Sequence, residues 1–319
     1  KYAVGVSSAT AGLHLSLLSI DIKNDDEVIV PSKTFISTAN SALYCNAKPV
    51  FCDVDESTFQ LNPLKLEQLI TSKTKAIIPV HLGGNICEMN EIKNIAKKHN
   101  LIIIEDAAHA HGSTLNGKMA GTFGHIGVFS FYPDKIMASS DGGIIVTNDR
   151  KIFEKLLLLR NVGRKNIGEY NYTEIGYNYR MNEIQAILAQ EQLKLLPKML
   201  KRRRDIANLY NYGLKDIPNL HCQKIVKDVN SAYYSYVMKL TKGNLKKFRK
   251  ILKEKGIETS PMFTTIYKTK IYQKISIFSN NCPISEILDN QTFTIPLHVG
   301  ITNTEVDYVI KTIKKILDF

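Results

Sequence analysis

Short apolar runs alternate with amphipathic ones along the first half of the chain. Residues 9–20 have helical spacing, with Ser7 or Ser8 placed to cap the first turn. Glu27 to Val30 reads as a strand, residues 34–45 as a helix and Pro49 to Cys52 as a strand. Asn62-Pro63 supplies a cap and a first-turn proline for the next helix. Strands are predicted at Ala76 to Val80 and Leu101 to Glu105, on either side of a helix over 88–99. Two more follow at Gly127 to Phe131 and Gly143 to Val146, then a Leu-rich helix capped by Asp149 and a long helical pattern over 180–214. The β-branched runs Ile77-Ile78-Pro79-Val80 and Ile102-Ile103-Ile104 are unbroken by polar residues, as in parallel strands buried on both faces. The alternation predicts a doubly wound, mostly parallel α/β sheet. Past it come a strand at Tyr233 to Leu240, a helix over 244–255, a loop-rich stretch and a terminal helix at 303–317. We expect a large α/β domain over 1–198 and a smaller α+β domain over 199–319.

Composition changes this picture little. The chain has 319 residues, enough for two domains, with 42 Lys+Arg against 30 Asp+Glu, a net charge of +12. The densest basic cluster, Lys201-Arg202-Arg203-Arg204, falls inside the long helical pattern and reads as a solvated helix face. No nucleic-acid partner is therefore expected. The five cysteines are odd in number, scattered and without C-x-x-C spacing, so they read as reduced packing residues. No apolar run reaches the ~18 residues of a spanning helix, and the first residues carry no signal-peptide pattern. A cytoplasmic protein with no membrane partner is expected. No H-x-x-x-H or Cys/His cluster points to a metal.

In an open α/β sheet, ligands bind beyond the carboxyl ends of the strands, where three segments carry unusual polar residues. Leu101-Ile-Ile-Ile runs into Glu105-Asp106-Ala107-Ala108-His109, and a carboxylate there needs a cation or donors beside it. The run ending at Phe131 leads through Tyr132-Pro133-Asp134 to Lys135, which lies just before the Gly142-Gly143 turn. A lysine amine in a desolvated cleft forms a Schiff base with an aldehyde. Ser7-Ser8-Ala9-Thr10 opens an apolar helix, the kind of N-terminus that binds phosphate through free N–H groups. An anion site, a carboxylate and a lysine together match pyridoxal phosphate.

These residues resemble the DegT/StrS-type sugar aminotransferases, pyridoxal-phosphate enzymes of the aspartate-aminotransferase fold (fold type I). The resemblance spans nearly the whole chain: Ser7 to Thr10, Pro31-Ser32-Lys33-Thr34-Phe35, Pro49 to Asp55, Pro79 to Leu82, Glu105 to His109, Phe129 to Lys135, Gly142-Gly143, Tyr177 to Met181 and Pro296-Leu297-His298, in family order. It implies that Lys135 bonds the cofactor and then shuttles a proton, and that Asp106 pairs with the pyridine nitrogen. It further implies that His109 contacts the phenolic oxygen, that Phe35 stacks on the ring, and that Ala9, Thr10 and Ser130 hold the phosphate. Asn178 resembles the residue that reaches this phosphate from the other subunit of a homodimer. His81 and His298 follow strand-like segments and read equally as substrate-facing or structural.

The implied reaction moves an amino group from an amino acid, with glutamate as the expected donor, to a nucleotide-linked keto sugar for polysaccharide biosynthesis. A sugar dehydratase on the same scaffold is the alternative, but in those relatives a His replaces the lysine. A catalytically impaired relative is a third reading. The sequence departs from the family where Ser140-Asp141 stands for Gly-Glu before Gly142-Gly143. It also starts at Lys1, directly in the strand before the phosphate-binding helix, and so reads as lacking the family's N-terminal segment.

Overall fold

The computed structural model describes residues 1–166, 168, 170–275 and 281–318. In chain order the elements are β1 (Tyr2–Val6), α1 (Ala9–Ser19), β2 (Glu27–Pro31), α2 (Ser37–Tyr44), β3 (Lys48–Cys52), α3 (Pro63–Leu66), β4 (Thr74–Ile77), α4 (Met89–Lys98) and β5 (Ile102–Asp106). There follow β6 (Thr114–Leu115), β7 (Lys118–Met119), β8 (Ile126–Ser130), β9 (Gly143–Thr147), α5 (Arg150–Leu159) and α6 (Glu183–Leu214). The remainder is β10 (Leu220–Cys222), β11 (Val229–Asn230), β12 (Tyr236–Leu240), α7 (Leu245–Glu254), β13 (Ser260–Pro261), α8 (Lys270–Ile275), α9 (Pro283–Asp289), β14 (Thr292–Ile295) and α10 (Asn303–Ile316).

Seven strands form the large sheet, in the order β1-β9-β8-β5-β4-β2-β3. Only β9 runs against the rest, pairing antiparallel with both β1 and β8. One face packs Val28, Val30, Ile104 and Val128 against Leu13 and Leu17 of α1 and Leu156 of α5. The other packs Ile29, Ile77 and Ile103 against Met89 and Ile92 of α4. Helices on both faces explain why these strands read as unbroken apolar runs. α1 is buried almost all round, and its end is capped by the Ser8 hydroxyl, which accepts the Ala11 N–H.

β4 stops three residues before the predicted end. Pro79 has no N–H to donate, and beyond it only Val80 bridges to Asp106. The predicted strand from Tyr233 likewise starts only at Tyr236, because Tyr233 takes the left-handed conformation at φ 47° and turns the chain.

α6 opens with a capping box between Asn182 and Gln185 and continues through Pro197. It runs from the large sheet to the small antiparallel sheet β10-β12-β14-β13, so position 198/199 lies within it. Its basic cluster differs from expectation. Arg203 is 8% exposed and donates to the carbonyls of Tyr233, Tyr234 and Leu297, each at 3.1 Å. Arg204 donates to the carbonyls of Ser231 and Gly112, and Arg202 to Asn303 and the Ile301 carbonyl. Three of the four basic residues thus staple the helix to neighbouring loops, filling backbone acceptors that burial would otherwise leave unpaired.

Candidate active site

The carboxyl ends of β5 and β8, the start of β9 and the N-terminus of α1 lie side by side at one end of the large sheet. Asp106, the last residue of β5, is buried, and accepts from the Thr38 hydroxyl at 2.9 Å and the Ala108 N–H at 3.2 Å. Burial pushes its carboxyl above the ordinary range, while those two donors and the positive charge of Lys135 act the other way. A carboxylate accepts up to about four hydrogen bonds, so Asp106 has room for a further cationic donor.

Lys135 follows β8 and is mostly buried. Its Nζ donates to the Tyr234 hydroxyl at 3.2 Å, lies 3.1 Å from an Asp134 oxygen and sits 4.6 Å from the Tyr234 ring centroid. The Tyr234 hydroxyl in turn donates to the other Asp134 oxygen at 2.9 Å. Burial and the Asp134 charge push that phenol up, so it stays protonated at neutral pH. Tyr234 was not among the residues singled out from sequence. Its place depends on the turn at Tyr233 and on Arg203, which grips the Tyr234 carbonyl.

The Tyr234 ring stacks on His109 at 4.0 Å and 20°. Burial, then the charges of Lys135 and His111, hold His109 well below its usual pKa, and it is neutral. Its Nδ1 accepts the Gly83 N–H at 3.5 Å, which leaves the proton on Nε2 as a donor. Nearby His111 is pushed down to about 3 by the same burial. Phe35 is 55% exposed, and its ring lies 5.9 Å from that of Phe263.

At the α1 end, Gly143 pairs with Ser130 across β8 and β9. A side chain at Gly143 has no room, since a Cβ there falls 2.7 Å from the Ala9 nitrogen and 2.8 Å from the Phe129 oxygen. Gly142 takes φ 127°, a conformation that L side chains rarely adopt, and its N–H is held by the Asp141 carboxylate at 2.7 Å. The departure at Ser140-Asp141 therefore keeps the turn. Gly142 bridges to Ser8 and Gly143 borders the Ala9 nitrogen, so the start of β9, paired with Ser130, lies against the N-terminus of α1, where the first N–H groups have no partner within the helix. Thr10 also bonds Ser37 at the start of α2, at 2.8 Å.

Of the residues predicted from sequence, Lys135, Asp106, His109, Phe35, Ser130, Ala9 and Thr10 lie at this end of the sheet. Asn178 does not. It is exposed, is bridged through its backbone to Asn161, and makes no side-chain bond to Ala9, Thr10 or Ser130 among the described residues. His81 is engaged elsewhere: its Nδ1 accepts the Cys87 N–H and its Nε2 donates to buried Glu105 at 2.9 Å. Glu105 also accepts the N–H groups of Gly121 and Gly124, so this pair is a satisfied structural one. His298 is exposed, in a surface cleft with Glu258, Ser260 and Tyr308. No group of His, Cys, Asp and Glu among the described residues could hold a metal, and no described helix is long and apolar enough to cross a membrane.

The donor set fits pyridoxal phosphate: a helix N-terminus that only glycine can border, a buried carboxylate with spare capacity, and a mostly buried lysine. Comparison with known proteins agrees. The model of the DegT/DnrJ/EryC1/StrS aminotransferase family matches residues 1–314. A GDP-perosamine synthase from Caulobacter vibrioides is 36% identical over 321 residues, covering 99% of this chain and 86% of that protein. DesV of S. venezuelae, solved in complex with a ketimine intermediate, superposes with a TM-score of 0.95 at 30% identity, over 100% of this chain and 85% of its own. Spr1654 from Streptococcus pneumoniae, solved in its PLP form, gives 0.93 at 28% identity, over 99% and 87%.

Proposed function

The chain belongs to the DegT/DnrJ/EryC1/StrS aminotransferase family, and from that premise we propose that Lys135, Asp106 and the α1 N-terminus bind pyridoxal phosphate and move an amino group from glutamate to a nucleotide-linked keto sugar. One observation carries the residue assignment: Asp106 is a buried carboxylate whose two donors, the Thr38 hydroxyl and the Ala108 N–H, leave acceptor capacity for a cationic ring nitrogen. Bound there, pyridoxal phosphate supplies an aldehyde for amino groups and a ring that draws electrons from the neighbouring Cα–H bond.

The protein's own groups do the rest. The Ala9 and Thr10 N–H groups and the Ser130 hydroxyl hold the phosphate, helped by the positive end of α1. Asp106 would keep the pyridine nitrogen protonated, Phe35 would pack on the ring, and the Nε2–H of His109 would donate to the phenolic oxygen. Lys135 takes and returns the proton at the Cα of the amino acid, with Tyr234 and Asp134 directing its amine.

The relationship to a GDP-perosamine synthase supports a GDP-linked sugar as the acceptor to test first. A homodimer is supported by the exposed side chains of Ile184, Ile187, Leu188 and Leu195 along the first half of α6. In it, Asn178 of each subunit completes the partner's phosphate site. Residues 1–198 then form the cofactor-binding unit and 199–319 the smaller one, joined by α6. Five scattered cysteines, four of them buried, fit a reducing cytoplasm.

The test begins with the cofactor-loaded protein and glutamate. The visible band is expected to fade with release of one equivalent of 2-oxoglutarate, and a GDP-linked keto sugar to restore it. A band indifferent to glutamate contradicts the proposed donor.

A further inference from the structure

Two charged residues from the large sheet grip the short helix α9 at its two ends. At the N-terminal end, Asp53 lies just past β3 and accepts the N–H groups of Ile284 and Ser285, both at 2.9 Å, and the Ser285 hydroxyl at 2.7 Å. The same hydroxyl lies 2.5 Å from that of Ser32, which follows β2. At the C-terminal end, Asp289 is paired at 2.6 Å with Lys33, the next residue after Ser32. Acid at the start and base at the end match the helix dipole.

Lys33 is 1% exposed. Burial lowers its pKa while Asp289 supports its charge. Nothing in the roles assigned above uses this lysine, and a buried ammonium is costly unless its partners are well placed. Its partners all lie on one structure. Besides Asp289, its Nζ donates to the Phe263 carbonyl. Asp289 accepts the Thr265 N–H with both oxygens, at 3.0 and 3.1 Å, and the Ile266 N–H donates to the Ser32 carbonyl at 2.8 Å. Glu286, within α9, accepts the Tyr267 hydroxyl at 2.7 Å. The Phe263 ring lies 5.9 Å from Phe35 and, nearly parallel, 5.9 Å from His109.

We propose that Lys33 and Asp53 are positioning residues: by clasping α9 at both ends they fix the segment 262–267, so that the Phe263 ring stands against Phe35 and His109 and sets the clearance left for the acceptor sugar. The clearance part of this proposal rests on the sugar-aminotransferase reading above. The clasp itself does not.

Lys33→Met, Asp289→Leu and the double variant test it. In the cofactor-free chain, Lys33→Met raises the hydrogen-exchange rates of the 263–268 amides about tenfold or more, while β5 and β8 keep theirs. Its dissociation constant for pyridoxal phosphate rises about fivefold, and the KM for a GDP-linked keto sugar rises more than kcat falls. The double variant removes both charges, so it recovers the melting temperature lost in each single variant but keeps the fast exchange and weak cofactor binding. Exchange at wild-type rates in Lys33→Met overturns the clasp. A double variant that regains wild-type cofactor affinity overturns the positioning role. If the wild-type protein turns over no GDP-linked sugar, the acceptor reading fails, and the exchange and cofactor-affinity measurements still decide the clasp.

Discussion

Asp106 has opposite effects with and without a cation beside it. Its folded-state pKa is raised, chiefly by burial. The carboxyl therefore contributes its full stability only below the ordinary range near pH 4, and loses it as the pH rises through the folded value. In the cofactor-free chain at pH 7 the buried Asp106 carboxyl is a cost, and Asp106→Asn should melt higher by about 2–4 °C, roughly 1 kcal/mol. The gain should shrink as the pH falls toward 4. A lower melting temperature at pH 7 would show that the carboxylate is already compensated without cofactor. Asp106 was legible in the sequence because it interrupts an apolar run at the end of a strand, where polarity needs a reason, and Lys135 because it lies between a strand end and the Gly142-Gly143 turn. Tyr234 was not. It is one of 15 tyrosines, it sits in a run that reads as strand, and only the turn at Tyr233 brings its hydroxyl to Lys135.

At the scale of elements, α6 shows both what periodicity reveals and what it hides. Its extent was predicted to within three residues at the N-terminus, because a helical spacing sustained over so long a stretch is hard to mistake. The direction its charges face was not, since a row of arginines is equally consistent with solvent and with buried carbonyls. The backbone acceptors of Tyr233, Tyr234 and Leu297 that attract Arg203 come from segments 30 to 94 residues away. The apolar side chains on the first half of α6 carry the dimer prediction. Ile187 is 59% exposed, so Ile187→Glu should leave the fold within about 0.5 kcal/mol of wild type while halving the mass seen by sedimentation. It should also weaken cofactor binding, since Asn178 then has no partner site to complete. A variant that still sediments as a dimer places the contact elsewhere.

For the molecule as a whole, the alternation of strands and helices gave the doubly wound sheet, because buried parallel strands and two-faced helix packing leave a pattern in any window of the chain. Features made by distant pairing left none. The antiparallel course of β9 depends on its two neighbours. The clasp on α9 joins Lys33 to Asp289 across 256 positions, and nothing local marks either residue. The site lies where these two kinds of information meet, with strand ends supplying Asp106, Ser130 and Lys135, and long-range contacts supplying Tyr234 and Phe263.

The central claim is that Lys135 is the residue bonded to the cofactor, and the visible spectrum tests it most directly. Pyridoxal phosphate added to the wild-type protein should give the absorbance band of the lysine-bound cofactor, one equivalent per chain. Borohydride should then fix the cofactor to the peptide containing Lys135. In Lys135→Ala that band should be absent while the fold is retained. An unchanged band in the variant would contradict the account.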